Sequence, residues 1–470
     1  HRDLHSFPTR RSSDLHLVIN VINYTPMVIK MKHNKTGKLA PALVICVLLS
    51  LICTPSLSTI RNSITEPPIR ASDPSDPITG GTIVPKMFWE SNGTGIANTT
   101  QAEGGNLDSV TMMNDGQGGC FIAWTYNDPV TGTDIFAQHM DVFGNALWGG
   151  NGTPICRAHS DQQSPKIVSD GNGGIIVAWV EDRLSMMNPD IYAQRISAEG
   201  DTLWEDNGTI IANADYDQNY IKMVSDNHGG AIIVWEDGRG SDGDIYAQRV
   251  NGNGVCLWTA NGTLISLVDD EDYYPNVFVN QKDDIFVAWD KYDDDYYYVS
   301  AQKMNLNGAC QWDLGGVKVK QTEVYAIEDI PPLIIDDMAG GIILGWGEYD
   351  WDESDYFNYV NHISATGVRL WGSQGVLLSP DGDYETFDII SDGSGGLFAT
   401  YDFEGDQYVQ HIAATGFDDW ETHVQISSGG SVAWHSPIVS DLNGGVIIAW
   451  SQNVEGVGSR RIFEIGRAHV

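Results

Sequence analysis

Along most of the chain, short apolar runs alternate with clusters of Gly, Asp and Asn. Residues 164–183 (SPKIVSDGNGGIIVAWVEDR) show the unit: a half-apolar run, a glycine-rich turn, then a continuous apolar run closed by Trp. It continues as DIYAQRISAEG (190–200) and LWEDNGTIIANADYDQ (203–218). Apolar runs this short, bounded by turn residues, predict β-strands. Nothing after residue 60 carries the 3.6-residue period of an amphipathic helix. Each unit therefore predicts four strands: a (PKIV type), b (IIVAW type), c (DIYAQRI type) and d. Strand d starts at a second Trp and runs through Asn-Gly-Thr. Strand b, apolar at consecutive positions, is suited to burial on both faces.

The unit recurs in one register. Strand b is closed by Trp124, Trp179, Trp235, Trp289, Trp346, Tyr401 and Trp450, at spacings of 55, 56, 54, 57, 55 and 49 residues. A second ladder runs through Trp89, Trp148, Trp204, Trp258, Trp312, Trp371 and Trp420. Four strands in a repeat of this length match a propeller blade. Nine residues before each closing aromatic stands Asp115, Asp170, Asp226, Asn280, Asp337, Asp392 or Asp441, and a Gly-Gly pair follows in six of seven copies. Those residues accept positive φ at low cost, as a tight a–b hairpin requires.

The phase of the copies predicts how the fold closes. The repeats open with a lone d-type segment, Phe88–Ala97, and copy seven stops where strand c begins, at Arg461–Phe463. The first segment would then complete the last blade, leaving no open edge. The expectation is an all-β, seven-bladed β-propeller over residues 83–463, with an eight-bladed ring as the alternative. Residues 1–15 and 464–470 share nothing with the repeats, resemble translated sequencing-adapter sequence, and are expected to lie outside the fold. Residues 31–58 read as a signal peptide: Lys32, Lys35 and Lys38, then an apolar run over 39–53 and a small-residue exit. That run is short for a membrane span, although an uncleaved anchor stays open. Residues 59–82, rich in Pro, Ser and Asp, read as a flexible linker.

Charge adds to the picture. With 63 acidic against 26 basic residues, the net charge is −37. Such a field repels nucleic acid and anionic lipid and attracts cations and basic partners. Cys120, Cys156, Cys256 and Cys310 fit no metal-binding spacing, and their pairing does not follow from sequence.

The motif SDGNGGIIVAW…DIYAQRI…LW…NGT resembles the propeller-type repeats of secreted and surface-anchored microbial proteins, from about Trp89 to Phe463. The resemblance implies fold and an extracellular or cell-surface location, within a longer chain. It implies no catalytic residues. A looser similarity is to the Asp-box repeats of sialidases, from which this chain departs in its Asp-to-aromatic spacing.

In a four-stranded meander the a–b and c–d turns share one face, and the b–c and d–a loops share the other. The second face is expected to hold 33 of the acids. Among them, Asp215, Asp217, Asn219, Asp293, Asp295, Asp381, Asp383 and Glu385 are candidate ligands for Ca²⁺, a hard cation that takes oxygen donors. A solvated acidic face is the plainer account. Tyr292, Tyr296, Tyr297, Tyr349, Trp351 and Tyr356 mingle with these acids and are candidates for stacking on a sugar ring; packing at the loop bases is the other account. On strand c, an amide (Gln138, Gln194, Gln248, Gln302, Asn361, Gln410) precedes a basic or imidazole group (His139, Arg195, Arg249, Lys303, His362, His411). These groups would either ring an anion, or bind neighbouring blades' backbone while the bases pair with acids. The Asn-Gly-Thr triplets at Asn92, Asn151, Asn207 and Asn261 match a glycosylation sequon but recur at one repeat position, which favours a turn role.

No HExxH pair, GxSxG elbow or P-loop occurs. The expectation is a secreted, non-catalytic binding module for carbohydrate or protein. A glycan-active hydrolase built on an acid pair and a structural spacer are the alternatives.

Overall fold

A computed structural model describes residues 14–19, 27–32 and 95–96 and, apart from short stretches mostly in loops, residues 107–469. Among the described residues every regular element is a β-strand. The expected linker and all but two residues of the expected signal lie outside them. Asp14–Ile19 pairs antiparallel with Met27–Lys32.

The repeats fold as successive antiparallel meanders. Sheet one comprises Leu107–Asn114, Cys120–Asp128, Gly132–Met140 and Thr153–Cys156, in the order a, b, c, d. Sheet two is Gln162–Ser169, Ile175–Glu181, Asp190–Ile196 and Thr209–Ala212. Sheet three is Gln218–Ser225, Ala231–Asp237, Asp244–Val250 and Thr263–Leu264. Sheet four is Glu271–Val279, Ile285–Asp293, Tyr296–Met304 and Val317–Gln321. Sheets five and six repeat the order, their strands b being Ile342–Asp350 and Leu397–Phe403. In sheet seven, strand c is Arg460–His469; it pairs along strand b, Gly445–Asn453, and so runs through residues that share nothing with the repeats in sequence.

Strand b behaves as its apolar run predicts: every residue of Ile175–Glu181 is buried. Its two faces serve two cores. Trp179, Ile175 and Val177 join Phe121, Ala123 and Ile135 of sheet one, while Ile176, Ala178 and Val180 join Trp235 and Ile233 of sheet three. Sheets are thus stacked face to face in chain order. Strand a of each sheet lies against strand a of the next, from sheet one to sheet seven, and no two strands d are so apposed among the described residues. The sheets therefore converge on their a edges and splay at their d edges, a propeller-like arrangement. Ile96, from the segment before sheet one, packs on the core of Cys120, Ile122, Trp124 and Met140.

The two tryptophan ladders do different work. The second ladder clamps sheet to sheet: Trp148, Trp204, Trp258, Trp312 and Trp371 each donate an indole N–H to a carbonyl in the next c–d turn. The first ladder is buried, and in four of its members, Trp179, Trp235, Trp289 and Trp346, the indole N–H donates to a buried carboxylate, of Glu181, Asp237, Asp272 and Glu348 respectively.

The strand-c ladder has a structural use. His139, Arg195, Arg249, His362 and His411 each reach the a–b turn aspartate of their own sheet, at 2.8–3.0 Å. Copy four has Asn280 at that place, and Lys303 takes Asp284 instead, at 2.8 Å. One reading of the sequence expected the amides to bind neighbouring sheets' backbone, and Asn361 of sheet five does so, donating to the Val319 carbonyl of sheet four. The glutamines of sheets one to four stay within their own sheets. Gln194 spans its own c–d connection, donating to the Glu205 carbonyl and accepting from the Trp204 N–H, and Gln138, Gln248 and Gln302 do the same. Asn207 and Asn261 have φ near +60°, and their side chains accept the backbone N–H of Arg157 and Asn213, one sheet earlier. The triplet is therefore a latch between sheets as well as a turn. Cys120, Cys156, Cys256 and Cys310 are free thiols; burial pushes the Cys156 thiol up to about 12.

Candidate functional site

The inner edge strands carry a repeated irregularity. In sheets one to four, strand a pairs with strand b in two segments separated by a register shift, for example between Gln163 and Lys166 or Asn219 and Lys222. The shift is a β-bulge, a device that re-aims side chains and often lies beside functional sites. Each bulge holds a non-glycine residue at positive φ: Ser109 (48°), Ser164 (53°), Tyr220 (50°) and Tyr274 (50°). For a bulky Tyr this conformation is strained, and strain of this kind concentrates at functional sites.

Two adjoining cavities open there. One, of about 310 Å³, is bounded by the end of strand b in sheet three and the starts of strands a in sheets three and four. Asp217, Asn219, Glu236, Glu271 and Tyr273 line it. The other, of about 480 Å³, runs over the bulges of sheets two to four and is lined by Gln163, Lys166, Asn219, Tyr220, Lys222 and Tyr274, with Pro331 beyond. Asn219 belongs to both. Tyr220 is 57% exposed and meets Tyr274 edge-on, with ring centroids 5.2 Å apart. Tyr273 donates its hydroxyl to Glu271 at 2.6 Å. Burial pushes the Glu236 carboxyl up to about 7, against a stabilising hydrogen bond from the Tyr274 backbone, and its Oε2 is buried without a partner. The arrangement offers aromatic faces, amides and carboxylates to a ligand with hydroxyl groups, and one carboxyl able to hold a proton near neutrality.

The acids of the b–c and d–a connections do not form one solvated shelf. Asp134, Glu181, Asp190, Asp237, Asp244, Asp272, Asp290, Glu348 and Asp402 are buried. They lie within the strands rather than in the loops beyond, where sequence placed them. Several are tied into a repeated set. Arg183 binds Glu181 and stacks on Tyr192, and Arg239 binds Asp237 and stacks on Tyr246. In sheet five the cation comes from sheet four: Lys320 binds Glu348 at 2.7 Å and lies over Tyr359. Burial and the nearby Glu181 push Asp190 up to about 6.

Of the aromatic candidates, Tyr292 pairs with Tyr297 and Tyr349 with Tyr356 across their b–c hairpins, with centroids 4.5 and 4.6 Å apart. They are half-buried and line neither cavity. Tyr296 lies in strand c, its side chain outside the described set, and Trp351 is outside the described residues. Of the cation candidates, Asp217 and Asn219 line the smaller cavity and Asp215 does not. Asp295, Asp381, Asp383 and Glu385 lie outside the described residues, as does the side chain of Asp293. Among the described residues no three His, Cys, Asp or Glu side chains converge as a metal site requires.

The sequence reading passed over Tyr220, Lys166 and Lys222. The signal was there: Ser164-Pro-Lys166, Tyr220-Ile-Lys222 and Tyr274-Pro-Asn276 occupy one repeat position, where bulky and basic residues are out of keeping with an acidic chain. No family model matches the chain, and no curated protein matches it. Among solved structures, an ulvan lyase of polysaccharide lyase family PL25, bound to -[GlcA(1-4)Rha3S]-, aligns at 12% identity with a TM-score of 0.44, covering 74% of this chain and 91% of that one. An α-L-arabinanase of Penicillium chrysogenum complexed with arabinobiose aligns at 11% identity with a TM-score of 0.37, covering 65% and 93%. A protein of unknown function from Dyadobacter fermentans aligns at 10% identity with a TM-score of 0.36, covering 78% and 95%. Similarity at this level assigns none of their activities to this chain.

Proposed function

We propose that the protein is a secreted or cell-surface binding module that holds a carbohydrate along the inner strands of sheets two to four. The observation that carries this reading is the pair of strained, inward-set tyrosines, Tyr220 and Tyr274, lining a cavity with the amides of Gln163 and Asn219 and sharing Asn219 with a second cavity lined by carboxylates. Sugar rings are held by aromatic stacking on one face and hydrogen bonds to their hydroxyls, and both partners are present. The ligand site thus moves from the b–c hairpin tyrosines of the sequence reading to the inner strands. The scaffold we propose is a seven-bladed ring closed by the segment Phe88–Ala97. Its support is Ile96, which packs on sheet one as the d-strand residue Ile211 packs on sheet three.

A second reading, a glycan-active hydrolase, draws support from Glu236, a carboxyl protonated near neutrality in one cavity with Asp217 and Glu271. One experiment addresses both. The protein is screened on a glycan array, hits are followed by calorimetry, and the same oligosaccharides are checked for cleavage. Tyr220→Ala is expected to weaken binding at least about tenfold, a loss of about 1.4 kcal/mol, and Tyr349→Ala to leave it unchanged. Equal binding by the Tyr220 variant would refute the site. Cleavage abolished by Glu236→Gln would replace the binding module with the hydrolase.

A further inference from the structure

The larger cavity contains two positive charges that nothing among the described residues answers. Lys166 and Lys222 occupy the same position on successive inner strands, the first paired residue after each bulge, opposite Ala178 and Val234. Both are half-buried, and both line the cavity over the bulges. Among the described residues neither has an ion-pair or hydrogen-bond partner. Every other Lys or Arg with a described side chain has a carboxylate, a carbonyl or a ring as partner: Arg157, Arg183, Arg195, Arg239, Arg249, Lys291, Lys303 and Lys320 bind acids, Lys282 and Arg369 bind carbonyls, and Lys318 lies over Tyr298.

That contrast has physical weight. The chain has 63 acids, and burying a cation without a partner costs free energy. Setting two such cations together adds repulsion. Burial lowers the pKa of both amines, and for Lys222 the neighbouring Lys166 lowers it further. The position itself does not demand lysine, because sheet four carries Asn276 there, which binds the Pro332 carbonyl. The walls beside the amines are Tyr220 and Tyr274, with Val180 and Ile221 behind and Gln163 and Asn219 alongside. A flat ring against the tyrosines would bring a substituent to the ammonium groups. Carboxylates such as Asp217 and Glu271 line the other cavity, so a ligand crossing from one to the other meets opposite charge at its two ends.

We propose that Lys166 and Lys222 form an anion subsite that selects acidic glycans, receiving the carboxylate or sulfate group of a sugar ring stacked on Tyr220. This rests on the carbohydrate reading above, and the test separates the two. Calorimetry on the full chain would compare oligogalacturonate, which carries carboxylates, a carrageenan oligosaccharide, which carries sulfate esters, and a neutral cello-oligosaccharide of similar length. Melting would also be followed in sodium sulfate and sodium acetate against sodium chloride at matched ionic strength. At least one acidic oligosaccharide is expected to bind at least about tenfold more tightly than the neutral one, and the better of the two names the group. Lys166→Met with Lys222→Met should remove that preference; Lys222→Arg, which keeps the charge, should retain it. Equal binding of acidic and neutral probes, or a preference that survives the double Met variant, overturns the subsite. If no oligosaccharide binds but sulfate or acetate raises the melting temperature of the wild type and not of the double variant, the anion subsite stands and the carbohydrate reading falls. If neither effect appears, both fall.

Discussion

A single carboxyl shows how burial sets chemistry in this protein. Glu236 follows Trp235 at the end of strand b, so its side chain is carried away from the tryptophan's core and into the smaller cavity. Burial raises its pKa from 4.5 to about 7. The folded state therefore holds a proton between those values that the unfolded chain has released. Stability linked to Glu236 is complete below about pH 4.5 and is lost as the pH rises through about 7. Glu236→Gln removes the titration while keeping the shape. Urea unfolding should find this variant more stable than wild type at pH 8, by about 1–2 kcal/mol after solvent screening. The advantage should vanish at pH 4.5. An equal difference at both pH values would mean that the carboxyl is solvated. Nothing in the sequence distinguishes Glu236 from its neighbour Asp237, although the two have opposite fates. Asp237 bonds Trp235 and Arg239 in the core, and Glu236, on the other face of the strand, meets the cavity. Alternation along a strand separates them only once both faces of that strand are known to be occupied.

At the scale of the element, the a–b turn was the most legible part of the chain and its partner the least. The turn aspartate accepts backbone N–H groups two and four residues on, as Asp170 does from Asn172 and Gly174. A Cβ added at Gly174 would stand 2.1 Å from the Ile196 carbonyl, so the second glycine of the pair is required by close approach of strand c. What local pattern did not disclose is that the other carboxylate oxygen serves strand c, through Arg195 at 2.8 Å. That contact joins residues 25 apart in sequence. Copy four tests its importance. There the turn residue is Asn280, whose oxygen still accepts the N–H groups of Lys282 and Asp284 but offers no charge. The missing carboxylate is supplied by Asp284, which replaces the second glycine and binds Lys303. Asp284→Gly alone should strand the Lys303 ammonium and cost about 1–3 kcal/mol. Adding Asn280→Asp rebuilds the arrangement of the other sheets and should recover most of that loss. Thermal unfolding of the two single variants and the double gives the coupling. Additive effects would mean that the two positions act separately.

Over the whole molecule, the sheets, their order and the two faces of each strand b were readable because one register repeats and local turn chemistry marks every hairpin. The site was not, because it depends on which edge of each sheet faces inward. The unusual residues at the bulge position are visible in the sequence, but only the apposition of strand a on strand a brings Lys166, Tyr220 and Tyr274 to one cavity. The tyrosine-rich hairpins of sheets four and five were conspicuous in sequence for a different reason, since their aromatic rings satisfy each other across the strand pair. Ring closure is the remaining inference drawn from phase. In sheets one to five the third residue after the d-strand glycine faces the next sheet: Ile155, Ile211, Ile265, Val319 and Leu378 are all buried in such cores. Ile96 stands third after Gly93 and packs on sheet one, which has no earlier complete sheet to supply that contact. If Phe88–Ala97 is the d strand of the last blade, Ile96 seals the joint between the chain's two ends, and a charge there should open the ring. Ile96→Asp is then expected to lower stability by about 2–4 kcal/mol, approaching Ile211→Asp, with both variants unfolding in one cooperative transition. A segment that merely lies on the outside of sheet one would tolerate the aspartate within about 0.5 kcal/mol while Ile211→Asp remained costly. Chemical denaturation of the two variants side by side separates these outcomes, because Ile211 reports what the same position is worth inside the array.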